Sequence, residues 1–329
     1  MQDLNTMGKF TETPVLCEKK AIKKSALKVG FTLLAVFAIM FFGASPILIV
    51  TSFLGIPTER VIDFLSEPTI AMTFQAVMSI FMVLLPFWSL AKTEGMKISS
   101  TISFAPPKKK ITLPFIMTVS VYGFVFSFAT GILLSILEEF GLKAPEINTV
   151  YPTDFLGIVI TVIASVILPA LLEEFAIRGV VLGMLRRFGD GFAIVCSALT
   201  FGLMHASIMQ IPYTFLFGIV LAVVVIKTES IWTGVILHGI NNALAIVFPY
   251  CEIFYGAEKS HIIELITICL MIIISIIGII LLLKADPQAF KIETSKTENS
   301  EKKKFRYFIF SPTIILGIIL SIVFGFLLR

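Results

Sequence analysis

The sequence predicts an all-α fold, a polytopic transmembrane helical bundle of eight or nine spans with a polar cavity inside the membrane. Three observations carry this. The chain is 57% hydrophobic and only 15% charged, against about a quarter charged in a typical soluble domain. Its apolar residues gather into long runs, several of them reaching the ~20 residues that cross a bilayer. Its cations collect in alternate connections between those runs.

The runs lie near residues 26–54, 70–91, 111–137, 155–185, 192–206, 211–226, 231–248, 262–283 and 307–328. Those near 192 and 211 are short and separated only by residues 207–210, so they predict a tight hairpin or partly buried helices. The division that follows is a tail over 1–25, three spans over 26–154, a central unit over 155–249, a further span within 250–283, a polar and flexible linker over 284–306, and a last span over 307–329. Lys9, Lys19, Lys20, Lys23, Lys24 and Lys28 precede or open the first span. Further cations fill 92–110, Arg186, Arg187, Lys227 and 284–306, while the alternate loops hold only Arg60, Lys143 and Lys259. Lys and Arg favour the cytoplasmic side, which predicts a cytoplasmic N-terminus. The first 25 residues are polar, so no cleavable signal peptide is expected. A net charge of +4 spread over loops suits an anionic leaflet and gives no basic face for nucleic acid. Cys17, Cys196, Cys251 and Cys269 show no paired spacing, which argues against a disulfide framework or zinc knuckle. No internal repeat is visible, and nothing specifies an oligomeric state.

Within this apolar chain, "LLEEFAIRG" over 171–179 places two acids and a cation where charge is costly, roughly 2.5–3.5 kcal/mol per group at mid-bilayer. Glu174 and Arg178 are four residues apart, acid first, and form a favourable helical ion pair. Glu173 lies ~100° around the helix from Glu174 and has no local partner. A desolvated carboxylate becomes a better base near neutral pH. The chain has three histidines. His261 sits in a polar loop. His205 ends "FGLMH" and His238 begins "HGINN", each inside its own apolar run. Asn242 follows His238 by four residues on one helical face, so the two can act as neighbouring donors for an oxyanion. Asn241 points elsewhere and serves as a cap or packing hydrogen bond. At 1.5 Å per residue, His238 and His205 sit roughly 10 Å and 15–20 Å inside the basic edge, compatible with one cavity opening toward the cytosol.

Elimination narrows the chemistry. There is no HExxH zinc motif, no G-x-S-x-G elbow, no aspartate pair in an apolar run and no glycine-rich phosphate loop. What remains is Glu173 deprotonating water with help from His205, while His238 and Asn242 hold the oxyanion. A zinc site formed by Glu173, His205 and His238 is the alternative.

The runs "EEFAIRG", "FGLMH" and "HGINN" resemble the three ordered motifs EExxxR, FxxxH and HxxxN of the CAAX prenyl protease and bacteriocin-processing family of intramembrane endopeptidases. The resemblance covers about residues 155–249. It implies a helical membrane fold with a cavity open to cytosol and lipid, Glu173 and His205 as the water-activating pair, His238 and Asn242 as the oxyanion site, and Glu174 and Arg178 as supporting residues. It also implies a peptide or lipidated-protein substrate and a prokaryotic plasma membrane. Some members are regulators or immunity proteins, so a non-enzymatic scaffold competes with the protease. A proton-coupled transporter predicts inverted repeats, which this sequence lacks.

Overall fold

The computed structural model describes residues 13–97, 104–141, 149–292 and 297–327. Lys9 and Lys143, two of the cations used to orient the chain, lie outside these segments. The described residues form an all-helical bundle.

Helix α1 (Pro14–Phe42) begins twelve residues before its apolar run and continues after a short break into α2 (Ser45–Phe53); α3 (Thr58–Ser66) and α4 (Pro68–Thr93) follow. Then come α5 (Lys109–Val119) and α6 (Tyr122–Glu139). The long α7 (Phe155–Phe188) leads to α8 (Asp190–Met204), α9 (Ile211–Thr228), α10 (Ile231–Tyr255) and α11 (Ala257–Ala285). A bent pair, α12 (Glu301–Ile309) and α13 (Pro312–Leu327), ends the chain. Start signals are local. The Asp154 carboxylate accepts from the Gly157 N–H at the head of α7, and the Ser230 hydroxyl from the Trp232 N–H at the head of α10, so each satisfies an otherwise unpaired amide. Pro14, Pro68 and Pro212 sit in first turns, where the missing N–H costs nothing. Gly256, at φ 84°, makes the left-handed turn from α10 into α11.

Among the described residues seven helices, counting α1 with α2 and α5 with α6, are long and apolar enough to span a membrane; taken as one span, the pair α12 and α13, bent by 66°, brings the number to eight. The apolar run at 192–206 is α8, 15 residues long. It packs against α1, α7, α9, α12 and α13 and buries almost every side chain from Phe192 to Met204. It is therefore a core helix, apolar all round because it has neighbours all round. Glycine permits two close crossings: Gly218 of α9 against Ala198 of α8, and Gly278 of α11 against Met117 and Thr118 of α5.

The basic segments meet at one end of the bundle. Lys28 binds Glu94, which also takes Arg187; Lys108 binds Glu229; and Lys227 donates to the Gln288 carbonyl. The stretch expected as a flexible linker contributes to this end. Residues 293–296 of it lie outside the described segments. Nearby, Asn299 is buried and bonds to Glu18 and the Val15 carbonyl, while Lys304, 1% exposed, bonds to the Phe188 carbonyl, Thr297 and Glu301. Polar composition suggested a loose connection, but buried partners turn these residues into a strap.

Candidate active site

The site is built on α7. Its hydrogen bonding departs from the α pattern in two π-helical stretches, Ile163–Ile167 and Glu174–Leu182. Wide turns of this kind recur at functional sites, and here they flank the short α-helical segment Leu168–Glu173. The two adjacent acids end up in different surroundings. Glu174 is fully buried. Its Oε1 accepts from Arg178 Nη1 at 2.6 Å and from His238 Nδ1 at 3.0 Å. Arg178 also donates to the Gly218 carbonyl at 3.2 Å and lies 4.5 Å over the Phe201 ring. Gly234 makes room for this pair, since a Cβ there would stand 2.6 Å from Glu174 Oε2.

Glu173 faces the cavity, with a side chain 15% exposed. Its Oε2 stands 3.7 Å from His238 Nε2 and 4.0 Å from His205 Nε2. The tautomers follow from the partners. His205 Nδ1 lies 2.8 Å from the Phe201 carbonyl, which can only accept, so Nδ1 carries hydrogen and the neutral ring turns its Nε2 lone pair toward Glu173. His238 Nδ1 donates to the Glu174 carboxylate, which turns its Nε2 into the cavity. Asn242 Oδ1 accepts from Asn241 Nδ2 at 3.4 Å, which leaves the Asn242 amide hydrogens for the cavity.

Glu173, His205, His238 and Asn242 line one cavity of about 480 Å³. Glu174 and Arg178 lie behind it. Three further residues join the site although the motifs assign them no part in catalysis. Phe201, first residue of the "FGLMH" run, presents its ring to both imidazoles at 5.0 and 5.7 Å in edge-on geometry, as well as to Arg178. Tyr213 lines the cavity and donates to Asn241 Oδ1. Asn241, expected to point away, lines the cavity too and links Tyr213 to Asn242. Spacing along one helix could find Phe201, four residues before His205. Tyr213 comes from another helix, and nothing in the sequence pairs it with Asn241.

Residues beyond the motif positions complete the lining: Met72 and Gln75 in the first turns of α4, Thr149 and Tyr151 before α7, and Ala245 and Ile246 in the far half of α10. Beside this lining Tyr151 packs on Tyr250. Burial, aided by that neighbour, pushes the Tyr151 phenol above its ordinary pKa, so it stays a neutral hydroxyl. Towards the basic end the site is sealed by Glu174, Arg178, Ile177, Val181, Leu185, Leu221 and Thr233, all buried.

Zinc requires three protein ligands about 2 Å from the ion. Among the described residues no three His, Cys, Asp or Glu side chains are placed to hold one. The donors as arranged do not fit zinc, and no step below runs through a metal.

A helical bundle with spans long enough to cross a membrane, and with a carboxylate and two imidazoles facing one another in an internal cavity, defines a class: an integral membrane protein with a polar cavity. Residues 155–244 match the family model described as type II CAAX prenyl endopeptidase Rce1-like. The matched segment runs from the head of α7 into α10 and contains all six motif residues, in agreement with the resemblance drawn from the three motifs. No curated protein and no solved structure matches the chain.

Proposed function

We propose that this chain is a membrane-embedded endopeptidase that hydrolyses a peptide bond by direct attack of water. The observation that carries the reading is the approach of His205 Nε2 and His238 Nε2 to one oxygen of Glu173, at 4.0 and 3.7 Å. Such gaps are bridged by one water. Glu173 takes a proton from that water while the His205 lone pair orients its second hydrogen. The water oxygen bonds to the substrate carbonyl carbon. The resulting oxyanion accepts from His238 Nε2–H and the Asn242 amide. Collapse breaks the C–N bond as Glu173 returns its proton to the leaving amine. Phe201 packs against both rings, and Glu174 anchors His238 through Nδ1. The substrate is a peptide or a lipidated-protein tail, the N-terminus is cytoplasmic, and the host membrane is a prokaryotic plasma membrane.

Purified protein in detergent, given a panel of prenylated and unprenylated peptides, tests this. The wild type should cleave at least one, and Glu173→Gln should lose about 10²–10⁴-fold, the usual worth of a general base. Activity should survive strong chelation and metal-free dialysis. Activity lost on chelation and restored by zinc would make these residues ligands. Peptides bound but never cut would favour the non-enzymatic scaffold.

A further inference from the structure

We propose that the groove between the head of α1 and α12 binds the headgroup of an anionic phospholipid. The site is separate from the cavity around Glu173 and does not depend on the endopeptidase reading.

Three observations converge. First, the groove gathers cations without an acid to answer them. It encloses about 320 Å³ and is lined by Lys19, Lys23, Arg306, Tyr307 and Phe310. Lys19 and Lys23 stand four residues apart on α1, an unfavourable spacing for like charges. Lys19 Nζ lies 5.5 Å over the Tyr307 ring, a contact that attracts the cation but leaves its charge in place. The lining holds no carboxylate, and among the described residues no acid pairs with these three cations. Second, the neighbouring basic cluster is built differently. There Lys108 binds Glu229, Arg186 binds Asp190, Lys227 donates to the Gln288 carbonyl, and Asp286 joins the wall. That cluster neutralises itself, whereas the groove needs an anion from outside the chain. Third, depth identifies the anion. Beside the groove α12 turns by 66° into α13. Beyond the bend Thr313 donates to the Leu27 carbonyl and Phe324 packs on Phe37 and Phe41, so α13 follows α1 along its apolar stretch. Before the bend α12 exposes Lys302, Lys303 and Arg306, while Lys304 and Phe308 anchor its inner side. Tyr307 and Phe310, the latter 69% exposed, stand between the polar and apolar zones, where aromatic rings sit at headgroup level. An anion at this level of a bilayer is a lipid phosphate.

Native mass spectrometry of the full chain in detergent tests this by counting bound lipid. Titrated with phosphatidylglycerol, the wild type should take up one lipid ahead of any others, and phosphatidylcholine should not displace it. Lys23→Gln combined with Arg306→Gln removes two exposed cations of the groove. That pair should weaken the first site about 30-fold, at the usual worth of a cation beside an anionic leaflet. Lys302→Gln combined with Lys303→Gln removes the same charge from α12 outside the groove and should leave the first site unchanged. Equal weakening by both pairs would mean diffuse surface attraction and overturns the proposal, as does no weakening by the first pair. Inorganic phosphate that displaces the lipid at comparable concentration would make this a site for a free anion, which overturns it too. Photoactivatable phosphatidylglycerol in phosphatidylcholine vesicles gives a second readout on the wild type, needing no substitution. Label should fall within residues 15–23 or 305–314, around the groove; label confined to the cluster of Lys108 and Arg186 overturns the proposal.

Discussion

The two halves of α7 obey different rules although they are one helix. From Phe155 to Glu173 the helix alternates between an outward face, with Phe155 at 83% exposure, and a cavity face carrying Ser165, Pro169 and Glu173. From Glu174 to Leu182 every residue except Phe175 is buried. The boundary falls between the two acids. Adjacent carboxylates of identical chemistry therefore do opposite work. Glu173 keeps an oxygen in the cavity and Glu174 spends one on Arg178 and His238. The difference is positional: the helix passes from cavity wall to bundle core across one peptide bond.

The sharpest way to break this comparison is to perturb each side in turn. Arg178→Ala leaves the fully buried Glu174 without its cation, a defect that typically costs roughly 3–5 kcal/mol. Glu173→Gln keeps the shape of a partly exposed side chain and should shift stability by less than about 1 kcal/mol, the ordinary range for sites without such a feature. Thermal unfolding in detergent checks both. Equal losses would mean that the cavity side is as structural as the core side.

A finer comparison uses two glycines one turn and a half apart on α10. At Gly234 a Cβ would meet Glu174 Oε2 at 2.6 Å and Val225 Cγ2 at 2.8 Å; at Gly239 the nearest atom is Ala170 Cβ at 3.8 Å. Gly234→Ala overpacks the core side and should destabilise by about 1–3 kcal/mol. Gly239→Ala meets only ordinary contact and should be neutral or stabilising by up to about 1 kcal/mol, since alanine is the better helix former. The ranking of the two melting temperatures is the measurement, and a reversed order would remove the claim that the Glu174 environment is tightly packed.

The same boundary explains what the sequence could and could not reveal. The helical class, the spans and the cluster of Glu173, Glu174, Arg178, His205, His238 and Asn242 were legible because charge inside an apolar run is costly and therefore conspicuous. Pairing of Glu174 with Arg178 followed from helical spacing, and the spacing survives the π turns. Contact of His238 with Glu174 was hidden, because it joins residues 64 apart in sequence. Tyr213 and Asn241 were hidden for the same reason. The short run at 192–206, expected as a hairpin arm or a partly buried helix, is the buried α8; hydrophobicity alone does not say whether lipid or protein covers a helix. The lining by Met72, Gln75 and Thr149 was hidden as well, because it comes from other helices and a loop.

The smallest effect is expected at the basic end, far from the cavity, where ion pairs are partly hydrated. Glu94 caps α4 and receives Lys28 at 2.6 Å and Arg187 at 3.0 Å, so it ties α1, α4 and the end of α7 together. Burial alone would raise its pKa. The two cations outweigh that and hold it below the usual carboxylate range. A carboxylate depressed in the folded state stabilises the fold at pH values above its unfolded pKa, and that contribution disappears as pH falls through the lowered folded value. Glu94→Gln should therefore cost on the order of 1 kcal/mol or less at neutral pH, given the exposure of its partners. The gap between variant and wild type should close as the medium is acidified through the carboxylate range. High salt should narrow the gap at neutral pH as well. Melting curves of the two proteins across pH measure it. A gap that stays constant on acidification would mean that Glu94 acts through packing at the α4 terminus and not through its charge.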